Sequence, residues 1–378
     1  MRRNEVDRSK LSPMMAQYME IKDNYEDTII FFRLGDFYEM FFDDAILASR
    51  ELELTLTGKQ AGLDERVPMC GIPHHAYAGY VDTLIEKGYK VAICEQMEDP
   101  KLTKGMVKRE VIQVVTKGTR LDSGLDSKSN NYIANIYDFN YCYGISFTDI
   151  TTGEFYAEIV EKDDYSVIRE VVRNNFNEII VNDIIDRNLV NILRTNYNIL
   201  VTITKEEEKS ELYSYIYDGI EDERIITTIK HLLYYITTTK KQTLTHLQKV
   251  EIIKSGDHLL FDGNTKKNLE LTETIRTGDR TYSLFWLLDK NKTAMGSRYL
   301  KYNIENPITS KKELERRYDF VEKLSTEFIL RDDLIKELNE VYDLERLSGR
   351  ISYGNLNAKD LLQLKSSLKH LPNIKKIL

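Results

Sequence analysis

Residues 28–44 read TIIFFRLGDFYEMFFDD, and this stretch decides how the first third of the chain folds. Residues 28–34 are β-branched and aromatic, Gly35-Asp36 is a turn pair, and residues 37–42 form a second β-prone run. Together they predict a hairpin. Side chains alternate faces along a strand, so Phe37 and Glu39 share one face of the second arm and Tyr38 takes the other. A ring and a carboxylate therefore stand side by side next to the turn. The hairpin is crowded with rings: Phe31, Phe32, Phe37, Tyr38, Phe41 and Phe42. Composition alone assigns all six to a core. A tripeptide of this kind is too short to establish a function.

Outward from the hairpin, Ser12-Pro13 reads as an N-cap with proline at the first helical position, and Met14, Tyr18, Ile21 and Tyr25 follow at helical spacing. Asp43 or Asp44 is placed to cap a helix running to about Leu52. Residues 54–57 predict a short strand and 58–68 a loop. A helix from about Ala76 ends at Gly88, and residues 89–96 and 110–116 predict further strands. Residues 122–131, DSGLDSKSNN, form a polar, turn-rich linker. Beyond it, β-prone runs at 132–139, 141–148 and 154–160 give way to alternating patterns: helix 164–173, strands 178–181 and 199–203, then helix 221–239. From about Lys254 helical patterns dominate, as in Asp343, Leu344, Leu347 and Ile351, with no clear internal repeat. The expected divisions are 1–122, 123–255 and 256–378. The fold class is multidomain, two α/β domains followed by an all-α one.

The chain has 378 residues, enough for two or three domains at ~150 residues each. Hydrophobic residues make up 42% and charged residues 30%, with 18 glycines and 6 prolines, which excludes collagen-like and wholly disordered classes. No apolar run approaches the ~20 residues of a membrane span, and the polar N-terminus shows no secretory signal. Cys70, Cys94 and Cys142 are odd in number and widely spaced. They predict a reducing, cytoplasmic setting with no disulfide framework and no metal site. A net charge of −8 argues against nucleic-acid binding by bulk charge. Residues 101–120 are a local exception, with six basic residues against the single acid Glu110. Such a run is ordinarily a solvated loop.

Four blocks change the weighting. FFRLGDFYEMFFDDA, VPMCGIPHHA, VAICEQMEDP and KREVIQVVTKGT, in that order and spacing, resemble the N-terminal mismatch-recognition domain of the MutS family of DNA mismatch repair proteins. Residues 131–254, with ISFTDITTGEF, resemble that family's connector. The segment from LFDGNTKKNLELTETIRTGDRTYSLFWLLDKN onward, and then VYDLERLSGRISYGNLNAKDLLQLKSSL, resemble its helical core, or lever, domain. The resemblance implies a mixed α/β recognition domain, an RNase H-like α/β connector and a truncated helical core.

It also implies that Phe37 wedges into the duplex at a mismatched or looped base pair and that Glu39 hydrogen-bonds the displaced base. His75 would lie near DNA, and Lys104, Lys108 and Arg109 would be candidate phosphate contacts. Ionised Glu39 only accepts hydrogen bonds and is repelled by phosphates, so it is expected to penalise intact duplex and to gain a partner only at a mismatch.

The implied partners are mismatched double-stranded DNA, a second copy of the chain in the full-length family, and MutL. The implied location is cytoplasmic and nucleoid-associated, with no membrane. ATP and Mg²⁺ serve the full-length family's ATPase. Here glycine precedes lysine only at Gly58-Lys59, with Glu53 and Gln60 at the positions where a P-loop needs glycine and Ser or Thr. The chain is therefore expected to hold no catalytic residue and no cofactor, and to correspond to under half of a family member. A competing reading is a metal-dependent nuclease using Asp149 in the middle domain. Another is a remnant that only contacts partners.

Overall fold

The structure is a computed structural model describing residues 3–98, 105–120, 126–254, 256–259 and 261–378. The chain divides into two compact units, Met1–Gly124 with Ile236–Lys241, and Leu125–Tyr235 with Gln242–Leu378.

In the first unit, helix α1 (Pro13–Asn24) leads into the hairpin β1 (Thr28–Leu34) and β2 (Phe37–Phe41), then α2 (Phe42–Glu51), β3 (Thr57–Lys59) and β4 (Val67–Pro73). Helix α3 (Tyr77–Glu86) and strands β5 (Lys90–Gln96) and β6 (Arg109–Val115) complete it. The sheet order is β3-β4-β2-β1-β5-β6, antiparallel except for the β1–β5 pair. Each face buries its own core. Met15, Tyr18 and Met19 of α1 pack on Ile30, Phe32 and Phe41, while Ala45 and Ala48 of α2 and Leu84 of α3 pack with Phe31, Tyr38 and Met40.

Beside Tyr18, α1 buries Met15, Met19 and Lys22, while Met14, Ile21 and Tyr25 of the predicted spacing pack partly buried against the same core. Two local expectations need correction. Neither Asp43 nor Asp44 caps α2, which starts at Phe42. Asp44 instead turns inside, 2.8 Å from Lys22 Nζ, accepting from Tyr18 Oη and Ile30 N, both at 3.0 Å. Its burial makes that pairing necessary. Phe42 has φ +53°, rare for a bulky residue. Phe41 and Phe42 both enter the α1-side core, which two successive residues of a regular strand would not do. Finally, the strand expected at 54–57 begins only at Thr57, and β4 was not anticipated because Pro68, Gly71 and Pro73 interrupt its pattern.

The second unit carries the sheet β11-β10-β7-β8-β9-β12. Its elements are β7 (Tyr132–Asp138), β8 (Cys142–Asp149), β9 (Phe155–Glu161), α4 (Asp164–Asn174), β10 (Glu178–Val181), α5 (Arg187–Asn196), β11 (Leu200–Ile203), α6 (Glu223–Lys240) as far as Tyr235, and β12 (Glu251–Ile252). Every residue of β8 is buried, as befits a strand covered on both faces.

Helices α7 (Gly263–Asn268), α8 (Leu284–Leu288), α9 (Ala294–Glu305), α10 (Lys311–Thr326), α11 (Phe328–Asn339), α12 (Leu344–Ser352) and α13 (Ala358–Ile377) follow. They are fastened to the strands by specific polar contacts. Arg298 bridges Asp343, Glu345 and the Ser127 carbonyl, and Tyr353 Oη donates to Ile150 O at 2.9 Å. The Tyr302 and Tyr156 rings stack at 6.0 Å. Among the described residues, no helix is long and apolar enough to cross a membrane.

Candidate nucleic-acid interface

The hairpin turn is built to hold its shape. Leu34 pairs with Phe37 across Gly35-Asp36, and Gly35 alone of the two has positive φ, +58°, the sign pattern of a type II′ turn. Arg33 Nε donates to Gly35 O at 2.5 Å. On the far side, Phe37 pairs with Pro73, and His74 N donates to Asp36 O at 2.8 Å. Behind the turn, Tyr38 packs on Phe31 and Tyr77 and donates its hydroxyl to Glu95. Burial, then the hydrogen bond to Glu95 and its charge, pushes the Tyr38 phenol well above its ordinary value.

On this support Phe37 stands out. Phe31, Phe32, Tyr38, Phe41 and Phe42 are all buried, whereas Phe37 is 50% exposed. Phe41 lies on the same face of the same strand but is sealed by Tyr18, 5.0 Å away edge to face. The composition-based assignment is thus right for five rings and wrong for the one beside the turn.

Register gathers distant residues at the same end of the sheet. Phe32 pairs with Cys94 in the parallel β1–β5 ladder, so the turn is level with the end of β5 at Gln96, and Gln96 pairs with Arg109 at the start of β6. The end of β4 at Pro73 is level with Phe37, and the 3₁₀ turn His74–Ala76 follows it. Phe37, His75 and Lys108 therefore share one edge. At the usual strand spacing, this edge is on the order of 20 Å from β4 to β6. His75 is exposed there.

Among the described residues, the basic run is less free than its composition suggests. Arg109 is a correction: its guanidinium is buried, with Nε donating to Arg33 O at 2.8 Å and Nη1 to Gln17 Oε1 at 3.2 Å and Val107 O at 3.0 Å. It also lies 5.1 Å from the Phe32 ring centre. It braces the hairpin from behind, with three of its N–H groups committed to protein acceptors. Arg120 is paired with Asp82 and Glu86. Lys108 is exposed, its ammonium 2.5 Å from Glu110. Lys104 lies outside the described residues.

Glu39 is also not as expected. Its carboxylate is already partnered: Lys59 Nζ on β3 lies 2.5 Å from Glu39 Oε2. The sequence signal for Lys59 is weak, since Gly58-Lys59 matches only a fragment of a P-loop pattern. That pair sits in a strand, with the lysine committed to Glu39.

The nuclease reading fails on geometry. Asp149 is fully buried, and its oxygens accept from Thr151 N at 2.8 Å, Thr151 Oγ1 at 2.7 Å and Asn131 N at 3.0 Å. Two-metal chemistry needs several converging carboxylates open to substrate. Among the described residues no group of three or more His, Cys, Asp or Glu could hold a metal ion.

The first unit is thus a two-faced mixed sheet that offers one exposed ring and one carboxylate at a braced turn. Comparison with known families finds that residues 12–124 match MutS domain I and residues 264–378 match MutS domain III. The chain is 47% identical over 367 residues to the DNA mismatch repair protein MutS of Bacillus licheniformis, covering 97% of this chain and 42% of that protein. It is 46% identical to MutS of Bacillus subtilis, with the same coverage, and 48% identical to MutS of Staphylococcus haemolyticus, covering 98% of this chain and 41% of that protein. The chain belongs to the MutS family and matches the N-terminal portion of its members. It spans about two-fifths of the length of these relatives.

Proposed function

We propose that this chain recognises mismatched or looped base pairs in double-stranded DNA by inserting the Phe37 ring, and so serves the initiation of mismatch repair. The observation that carries this reading is that Phe37 alone of the six hairpin aromatics is exposed, with Glu39 on the same face. An apolar wedge costs a few kcal/mol to unstack a base step, and stacking on an aromatic returns ~1–3 kcal/mol whatever the base. A mispaired base is cheaper to displace than a paired one. The ring thus senses local deformability and tolerates many mismatch types. His75 and Lys108 would set position along the backbone without encoding sequence.

The same reading divides the chain into a recognition domain (1–122), an RNase H-like connector (123–255) and a helical core (256–378). DNA is then the partner of the first. Dimerisation, MutL contact and the ATP and Mg²⁺ chemistry are proposed for the full-length protein. The test is a gel-shift comparison of G·T and G·C duplexes with wild type and Phe37→Ala. Preference for G·T that Phe37→Ala abolishes is expected. Equal binding of both duplexes by both proteins leaves only a partner-contact role.

A further inference from the structure

Lys59 is the residue of the candidate interface that the proposed function leaves without a role. Its ammonium, 2.5 Å from Glu39 Oε2, also lies 5.7 Å from the Phe41 ring centre, so the link runs past the flank of a ring that is itself fixed in the core. Strand β4 lies between β3 and β2, and its residue opposite Glu39 is Gly71. A Cβ there would come within 3.3 Å of Tyr38 O and 3.5 Å of Glu39 Cγ. The absence of a side chain at 71 keeps the space over β4 open beside the carboxylate. Glu39 and Lys59 side chains are only 16% and 29% exposed, so neither sweeps freely through solvent. Among the described residues, Glu39 Oε1 has no protein partner, and Phe37 is two residues away on the same face.

We infer that Lys59 is a positioning residue for Glu39. By holding Oε2 it fixes the carboxylate rotamer and presents Oε1 beside the Phe37 ring, where a displaced base would lie. This rests on the mismatch-recognition reading. The physical basis is a division of labour between two oxygens. A carboxylate has room for several donors, so one oxygen is anchored by the ammonium while the other stays available to the base. Sound duplex offers Oε1 mostly acceptors on the minor-groove floor, and an anchored carboxylate cannot swing away from them. The anchor therefore sharpens the difference between a base that leaves the stack and one that stays.

A lysine that simply touched a phosphate would behave differently. It would weaken all duplexes alike and reduce the salt slope by about one, whatever stood at 39. The deciding experiment is a double-mutant cycle on the 378-residue chain, read by fluorescence anisotropy on a G·T duplex and its G·C counterpart. The proteins are wild type, Lys59→Gln, Lys59→Arg, Glu39→Gln and the Lys59→Gln/Glu39→Gln double variant. Lys59→Gln is expected to lower the G·T-to-G·C affinity ratio about threefold or more, within the range of couplings between groups in contact. Lys59→Arg should retain the ratio, and Lys59→Gln should not change it further once Glu39 is Gln. A uniform loss on both duplexes, or the same loss with and without Glu39, overturns the inference. If Phe37→Ala removes a preference that Lys59→Gln leaves intact, only the role of Lys59 is lost. If wild type shows no preference, the recognition reading falls and this inference with it.

Discussion

Glu39 and Glu154 each stand two residues from an aromatic ring at a sheet strand, Phe37 before the one and Tyr156 after the other, yet their surroundings oppose each other. Glu39 is at the surface end of a face, with a lysine ammonium at 2.5 Å. Glu154 is enclosed by neutral donors: Thr152 Oγ1 at 2.9 Å, Tyr156 Oη at 3.1 Å and Asn130 Nδ2. Burial, reinforced by the neighbouring Asp149 charge, pushes its carboxyl up to about 7. Tyr156 is stacked between Phe147 at 5.0 Å and Tyr302 at 6.0 Å. The same local pattern thus yields a half-exposed ring beside an ion-paired carboxylate at one sheet end, and a packed, proton-binding pair where both sides are covered. What differs is the cover, and the cover comes from residues far away in the chain.

The largest expected effect separates the two rings of β2. Phe41→Ala should lower the unfolding free energy by about 3–5 kcal/mol in urea denaturation, because the cavity opens beneath Tyr18. Phe37→Ala should stay within about 0.5 kcal/mol of wild type, because its ring is half in water. A comparable loss at both positions would mean that the Phe37 ring is core after all.

Glu154 gives the next effect, through pH. Its folded-state value of about 7 lies above the ordinary 4.5, so the fold favours the protonated acid. This stabilisation is complete below about pH 4.5 and is lost as the pH rises through 7. Glu154→Gln should therefore melt above wild type at pH 8, by up to roughly 3 kcal/mol in stability, and the advantage should vanish near pH 4. A pH-independent difference would mean that burial does not hold Glu154 in its protonated form.

The smallest effects divide the basic run. Arg109→Gln should cost about 1–3 kcal/mol of stability through its lost carbonyl and Gln17 bonds. It should leave the salt dependence of DNA binding unchanged. Lys108→Gln should leave the melting curve in place and reduce the salt slope by about one, the signature of a single phosphate contact. If the two variants exchange these behaviours, the inside and outside of this edge have been misread.

The sequence by itself determined the hairpin, because residue pattern and turn chemistry act over a few neighbours. Thr28–Leu34, the Gly35-Asp36 turn and the shared face of Phe37 and Glu39 all follow from that local order. It also carried the family likeness, block by block. Tertiary structure decided which of six rings faces water, that Arg109 points inward, that Asp44 pairs with Lys22, and that Lys59 reaches Glu39 across β4. Strand β4 itself took shape only against its neighbours, since Pro68, Gly71 and Pro73 erase its own signal. Burial and charge pairing depend on which distant segment covers a face, and periodicity along one strand holds no record of that.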